Sequence, residues 1–286
     1  MTRCGAAILI VLLLAAGLAP LILPAPDALD LATRFAAPSP DHLLGTDELG
    51  RDLAARLLHG GRISLTVALA TAGLAALIGT AIGMVAGYHG GLADALLMRL
   101  TDGVMALPLL PLLIVLAAAD PAKLGVPVAA MDSEGFAIGR LVVIIACVGW
   151  TTVARLVRAA TLSVRARDYV RAAVAMGASP GRIMLRHILP NIASPVVVAT
   201  TLSVGNIILI ESALSFLGLG IRPPLASWGN MLTGAMDVVW STPALAVWPG
   251  AAIFLTVTAF NLLGDGLQRM LDPRGDWAET AHYCYY

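Results

Sequence analysis

The sequence predicts an all-α protein that crosses a membrane about six times. Of its 286 residues, 58% are hydrophobic and only 13% are charged, whereas a soluble domain carries roughly 25% charged residues. Aromatic residues make up 5%, so Leu, Ala, Val and Ile supply most of the apolar surface, as expected for helices that face lipid. The formal net charge is zero, which gives no reason to expect a nucleic-acid partner.

Six apolar segments are long enough to be spans, since about 20 apolar residues cross a bilayer. They are residues 5–23, 63–87, 103–119, 136–154, 192–211 and 243–264. The third segment contains Pro108 and Pro111, and prolines are tolerated in membrane helices when neighbouring groups satisfy the freed carbonyls. The first segment has a second interpretation, a signal peptide cleaved near residues 15–19. We favour a span, because the apolar run is long and Pro20 follows the cleavage site directly.

The distribution of arginine predicts that both termini are cytoplasmic. Residues 155–191 carry one acidic residue, Asp168, and seven arginines, at positions 155, 158, 165, 167, 171, 182 and 186. By contrast, six acidic residues lie between the first two spans, at positions 27, 30, 41, 47, 48 and 52. We therefore expect residues 24–62 and 212–242 outside and residues 155–191 inside.

The inner segment predicts a short helix over residues 168–177. Four residues lie at i, i+3, i+4 and i+7 and form one small apolar face: Tyr169, Ala172, Ala173 and Met176. Gly177 is typical of a helix end. Small side chains on this face would let a groove of another protein approach the backbone closely. The alternative is a basic loop that serves only to fix topology.

A second short helix is predicted directly after the first. Ser179 is typical of an N-cap and Pro180 of the first helical position. The pattern continues from Arg182 to Leu189, and we expect Pro190 to stop the helix.

This inner segment resembles the E-A-A…G…I-x-L-P loop of ABC-importer permeases. The matching residues are 169–173, Gly177 and 188–191. One departure is clear, because Arg171 stands at the position of the family's Glu. In that family the short helix of this loop is a coupling helix, which docks into a groove of the cytoplasmic ATPase. The resemblance therefore assigns ATPase coupling to the residues Tyr169, Arg171, Ala172, Ala173, Met176 and Gly177.

Further stretches resemble the dipeptide/oligopeptide/nickel permeases in particular. They are residues 42–52 with 61–65, residues 211–220 with 223–224 and 227–230, and residues 261–266 with 271–273. The resemblance covers about residues 40–275. It divides the chain into an N-terminal helix with an outer segment (1–62), a core permease domain (63–275) that contains the coupling loop 155–191, and a C-terminal tail (276–286).

The resemblance implies a type I ABC-importer permease fold in a bacterial inner membrane. The chain would pair with a second homologous permease, two cytoplasmic ATPase subunits and a substrate-binding protein on the outer side. ATP and Mg²⁺ would be bound by the ATPases and no cofactor by this chain. The sequence agrees, because a Walker A loop needs G-x-x-x-x-G-K-[ST] and Leu124 follows the single lysine, Lys123. The expected cargo is a peptide, with nickel chelates and related small solutes as alternatives.

Other functional classes fit the sequence less well. The histidines, at 42, 59, 89, 187 and 282, are scattered, so we expect no metal site. An ion-coupled secondary transporter remains the main alternative, but it usually has ionisable residues near mid-membrane, and the middles of the predicted spans have none. Glu211, at the outer end of the fifth span, is a candidate outer gate or helix-packing residue. It could equally be a solvated interfacial carboxylate.

Overall fold

A computed structural model describes residues 2–127, 131 and 133–271, and all structural statements concern this part of the chain. It is helical, with no strand in the described ranges, which confirms the predicted all-α class. The α-helices are α1 (Thr2–Ile22), α2 (Leu53–His89), α3 (Gly91–Ala106), α4 (Leu109–Ala118), α5 (Glu134–Arg165), α6 (Asp168–Ala175), α7 (Pro180–Ile183), α8 (Leu189–Phe216), α9 (Trp228–Ala235) and α10 (Ala244–Leu271). A π-helix, Met184–Ile188, joins α7 to α8, and short 3₁₀ helices lie at Leu31–Thr33, Pro121–Leu124 and Met236–Val238.

The number of spans matches the prediction, but the third span differs. Five helices of the described chain are long and apolar enough to cross a membrane, and the pair α3 and α4 makes a sixth if it is one span. These two helices meet at an angle of 89°. The break falls at Leu107 and Pro108, because a proline disfavours helical geometry in the residue before it. The predicted segment 103–119 thus covers only the last residues of α3 and the whole of α4, and the helix pair begins earlier, at Gly91.

The second span begins ten residues earlier than predicted. Asp52 is the N-cap of α2, and its carboxylate accepts a hydrogen bond of 2.7 Å from the backbone N–H of Ala55. Such a cap satisfies one of the N–H groups that a helix start leaves without a partner. The predicted domain boundary between residues 62 and 63 therefore lies inside a continuous helix, and the outer segment ends at Asp52.

The fourth span is longer than its apolar core. Helix α5 continues to Arg165, so Arg155, Arg158 and Arg165 lie on a helix rather than in the predicted inner loop. The apolar run ends at Ala154, but the following residues favour helix and continue the same buried face with Val157 and Thr161.

Pro190 does not stop a helix, and that prediction is wrong. The chain remains helical from Pro180 to Phe216. A proline inside an α-helix lacks one donor, and its ring clashes with the preceding turn. Here the wider π-helical turn Met184–Ile188 ends two positions before Pro190, so it covers the preceding turn, where the ring needs room. The side-chain amide of Asn191 donates to the carbonyl of His187 at 2.7 Å.

A stripe of glycines joins α2 to α5, the most extensive helix pair of the fold. A Cβ atom added to Gly79, Gly83 or Gly87 would lie 2.8–2.9 Å from the Cβ atoms of Val153, Val157 or Thr161, respectively. Glycines four residues apart let two membrane helices approach until their backbones touch. The remaining spans pack around this pair: α8 lies against α2 and α5, and α10 lies between α8 and α1.

Candidate functional site

The predicted coupling helix is present as α6, and its C-terminus forms a Schellman motif. Gly177 has a φ of +78°. Its N–H bonds to the carbonyl of Val174 at 2.9 Å, and the N–H of Ala178 bonds to the carbonyl of Ala173 at 3.1 Å. This double closure defines the motif and confirms Gly177 as a helix end. No other atom crowds the position of its missing Cβ, so only backbone conformation requires glycine.

The apolar face of α6 is not the one that periodicity indicates. Val170 and Ala173 are buried, and Val170 lies in an apolar cluster with Val157 on α5 and Ile183 on α7. Tyr169 and Ala172 are exposed, and Met176 is 81% exposed. Ala173 therefore anchors α6 to the rest of the chain and is not part of the exposed face that could contact another protein. Val170, which lies outside the face predicted from periodicity, is the second anchor.

A basic groove runs beside α6. Its volume is about 690 Å³, and it lies between α6 and the ends of α2 and α5. Arg165 and Arg171 line it, together with Tyr88. The Arg165 guanidinium lies 5.9 Å from the centroid of the Tyr88 ring, a distance at which a cation is attracted to an aromatic face. The exposed surface of α6 thus borders a groove that favours negatively charged groups.

Two ion pairs connect α3 to α5. The guanidinium of Arg158 binds the carboxylate of Asp94 through hydrogen bonds of 2.5 and 2.6 Å. Arg155 pairs with Asp102, which lies about two turns further along α3. The spans therefore contain paired charges that the apolar segments did not include, because α3 and α5 extend beyond those segments.

A large cavity opens among α3, α4, α5, α8 and the end of α10. Its volume is about 810 Å³. Most of its wall is apolar, with neutral polar side chains among the lining residues: Thr151, Thr152, Ser194, Ser203, Asn206 and Gln268. None of the residues that line it is charged. Such a wall offers hydrogen bonds without selecting for the charge of a solute.

Glu211 is fully buried, so the interpretation as a solvated interfacial carboxylate is wrong. Its carboxylate accepts a hydrogen bond of 2.7 Å from the hydroxyl of Ser215, and the Ser212 hydroxyl lies 3.5 Å away. Ser64 on α2 and Ser227 before α9 also interact with it. A buried carboxylate needs such donors to offset its lost hydration. Glu211 therefore joins three helices near the end of the bundle opposite α6.

The segment that precedes α2 folds into an ionic cluster against the same end. The Arg51 guanidinium donates to Asp47 at 2.7 Å and to Glu48 at 3.0 Å, and Arg51 and Asp47 are both buried. His42 lies 2.9 Å from Asp52, the N-cap of α2. Gly45 and Gly50 adopt positive φ angles that the turns of this segment require.

Comparisons with known proteins identify this arrangement. Residues 79–276 match the family described as the binding-protein-dependent transport system inner membrane component. The chain belongs to this family. It is 42% identical over 275 residues to a putative peptide permease of Brucella suis biovar 1, an alignment that covers 95% of this chain and 86% of the relative. It is 41% identical over 237 residues to the glutathione transport system permease protein GsiD of Pectobacterium atrosepticum, covering 83% and 74% of the two chains.

Family membership makes this chain a permease component of an ABC importer of the peptide/oligopeptide group. The predicted family and the predicted permease fold are therefore confirmed. The alternative function, an ion-coupled secondary transporter, is excluded. The last matched motif, residues 271–273, extends beyond the described residues, and the tail 276–286 lies outside them.

Two features of the permease were not expected from the sequence. The first is the glycine stripe, whose signal is visible as G-x-x-x-G-x-x-x-G at residues 79–87. The second is the pair of acidic residues on α3, Asp94 and Asp102. Their spacing of eight residues places them on one helical face, but no local signal indicates that arginines of α5 face them.

Proposed function

We propose that this permease forms, with a second related permease, the membrane path by which short peptides enter a bacterial cell. Relatives named as peptide and glutathione permeases support this cargo class, since glutathione is itself a small peptide. Nickel chelates are the competing cargo. Two cytoplasmic ATPases, which bind ATP and Mg²⁺, would drive transport, and a binding protein would deliver the peptide from outside.

The observation that carries this proposal is the 810 Å³ cavity with its uncharged wall. Sites for small molecules usually measure about 300–1,000 Å³, so the cavity has room for a short peptide. Every peptide presents N–H and C=O groups, whatever its side chains. Hydroxyl and amide side chains such as Thr152, Ser203 and Asn206 can bond to both kinds of group. A path of this kind accepts peptides of varied sequence and leaves selection to the binding protein.

The exposed surface of α6 is the proposed contact with an ATPase. This surface consists of the exposed residues Tyr169, Ala172 and Met176. The basic groove lies beside it. Arg171 lines this groove, where an acidic residue of the ATPase could bind it. Val170 and Ala173 hold the helix on the bundle, so force at the exposed side would pass into α5 and α7.

Orientation follows from the same assignment. With α6 in the cytoplasm, both termini are inside, and the ionic cluster and Glu211 lie at the outer end. This agrees with the excess of arginine in residues 155–191, which the positive-inside rule places in the cytoplasm. The bacterial inner membrane is the location that an importer with a binding protein requires.

Transport by the reconstituted complex tests the proposal. The wild-type complex in proteoliposomes should take up a labelled dipeptide when ATP and the binding protein are supplied, and should not take up nickel. Asn206→Leu should raise KM about two- to tenfold, since a lost hydrogen bond costs about 0.5–1.5 kcal/mol. Thr201→Val is the control, because Thr201 lies on the same helix but does not line the cavity. Nickel uptake without peptide uptake would exclude the peptide, and an unchanged KM for Asn206→Leu would exclude this path.

A further inference from the structure

A second, smaller cavity lies at the end of the bundle that carries Glu211. Its volume is about 260 Å³. The ionic cluster and the start of α2 form one wall, and the exit of α8 with helix α9 forms the other. Five of its lining residues are charged: Asp47, Glu48, Arg51, Arg56 and Arg222. Three positive charges against two negative charges leave the cavity with a net positive wall.

The guanidinium of Arg56 is not satisfied by this cluster. The whole residue is only 5% exposed. Its Nε lies 3.6 Å from Asp47, which is too long for a hydrogen bond, and its Nη1 is buried without a hydrogen-bond partner. The Arg51 guanidinium already forms closer ion pairs with both Asp47 and Glu48. A buried donor of this kind costs free energy unless a partner reaches it, so Arg56 has capacity for an additional acceptor.

Arg222 supplies a further positive charge at the opposite wall. Its side chain is exposed, and its Nε donates to the carbonyl of Gly218 at 3.0 Å. This bond holds the stem of the side chain near the exit of α8. The start of α2, at Leu53, also lies in the wall, and the first turn of a helix favours a negative charge.

We propose that this cavity binds the carboxylate of one Asp or Glu side chain presented by the substrate-binding protein. The inference rests on the proposed function, which places this end of the bundle outside. Arginine is suited to this ligand, because its planar fork matches the two oxygens of a carboxylate. The unpaired nitrogen of Arg56 and the charge of Arg222 would then act on one acidic side chain from two sides.

Size and position favour a protein side chain over the carboxylate of the cargo. The volume is below the range of about 300–1,000 Å³ that small-molecule sites occupy, but it is sufficient for one acidic side chain. The cavity shares no lining residue with the larger 810 Å³ cavity. Ser215 lines the smaller cavity and donates a hydrogen bond to Glu211. The buried carboxylate of Glu211 therefore lies between this cavity and the interior of the bundle.

The experiment measures the affinity of the binding protein for the complete transporter in lipid nanodiscs. Arg56→Gln should weaken it about tenfold or more, and Arg222→Gln about threefold. Arg62→Gln is the matched control, because Arg62 is an exposed residue of α2 that does not line the cavity, and it should change affinity less than twofold. Arg51 keeps Asp47 paired in Arg56→Gln, and Arg222 is exposed, so at least one variant retains the fold.

Neutralising the acidic residues of the binding protein one at a time completes the test. One such change should reproduce the loss and add nothing further when combined with Arg56→Gln. Unchanged affinity in both arginine variants would overturn the inference while leaving the proposed function intact. A change confined to the uptake of peptides with a free C-terminus, relative to amidated peptides, would identify the cargo as the ligand and also overturn it. Failure of the wild-type transporter to bind the binding protein would remove the proposed function as well.

Discussion

Arg158 on α5 holds Asp94 on α3 through two parallel hydrogen bonds of 2.5 and 2.6 Å. The pair is important because α3 is interrupted at both ends. Gly90, before it, and Gly91, its first residue, both have positive φ angles, and the 89° bend to α4 follows it. Helix α3 therefore lies between two breaks, and the ion pairs to α5 are among the contacts that hold its position.

The first prediction concerns this tie. Arg158→Ala should lower the apparent stability of the permease in nanodiscs by about 1.5–3 kcal/mol, the range for hydrogen bonds to charged groups. Arg155→Ala is the control, because Arg155 and Asp102 are 48% and 54% exposed, and exposed pairs contribute at most about 1 kcal/mol. Thermal unfolding measures both. Equal effects would mean that the Asp94 pair does not fix α3.

The second prediction concerns the glycine stripe. Gly83→Ala places a Cβ 2.9 Å from the Cβ of Val157, and overpacking of this kind costs about 1–3 kcal/mol. Gly73→Ala, on the same helix with open space around it, should be neutral or stabilise by up to about 1 kcal/mol, because alanine favours helix. Unfolding of the two variants in the same lipid provides the comparison. Similar stabilities would show that α2 and α5 are not in close contact.

The third prediction concerns coupling to the ATPase. Ala172→Trp enlarges the exposed face of α6 without a clash inside the chain, so it should reduce co-purification of the ATPases while the permease still inserts. Arg171→Glu changes one exposed charge and should cost at most about 1 kcal/mol of this association. Normal assembly and transport of Ala172→Trp would leave topology as the role of this segment.

Two further substitutions separate docking from folding in α6. Ala173→Trp should detach α6 from the bundle, because Ala173 is buried and the larger side chain does not fit there. Gly177→Val forces a side chain into a positive φ, at a cost of about 1–2 kcal/mol, and should weaken both stability and ATPase binding. If Ala173→Trp retained wild-type stability, the inward face assigned to α6 would be incorrect.

The fourth prediction concerns the buried carboxylate. Ser215 donates to Glu211 at 2.7 Å and accepts from the N–H of Ile221 at 3.0 Å. Ser215→Ala removes one of the hydrogen bonds to Glu211 and leaves the N–H of Ile221 without this acceptor, so it should destabilise the protein by about 1–3 kcal/mol. If Glu211 is part of an outer gate, Glu211→Gln should alter transport or basal ATP hydrolysis without loss of assembly. Wild-type behaviour of Glu211→Gln in both assays would leave a packing role.

The fifth prediction concerns orientation. A single cysteine at position 41, in a background without Cys4, Cys147 and Cys284, should react with a membrane-impermeant maleimide in intact cells. A cysteine at position 179 should react only after the membrane is permeabilised. Labelling at position 179 in intact cells would reverse the proposed topology.

Local signals in the sequence predicted most of the fold. Spans were found because apolar length alone defines them, and Gly177 was found because a helix end needs a residue that tolerates positive φ. The errors have a common cause. Helices α2 and α5 continue past their apolar cores, because neighbouring helices supply contacts that composition does not reveal. Pro190 lies inside a helix because a π-turn precedes it.

The candidate site was harder to predict than the fold. The periodicity of α6 placed Tyr169 and Ala173 on one face, but a helix of two turns is oriented by the surface on which it packs, and that surface is formed by distant residues such as Val157. Glu211 was recognised as unusual, yet its burial depends on serines that the chain brings from α2 and the start of α9. Such pairings are tertiary and have no signature in one segment.

The glycine stripe also bears on the order in which the helices find their places during synthesis. Helix α2 enters the bilayer before α5 has been made, with residues 90–133 between them. In the interval, the flat surface at Gly79, Gly83 and Gly87 faces lipid chains, which cannot match a bare backbone as closely as Val153, Val157 and Thr161 do. Insertion and packing are thus separate stages for this helix, and α2 acquires its final neighbour only when the fourth crossing is complete.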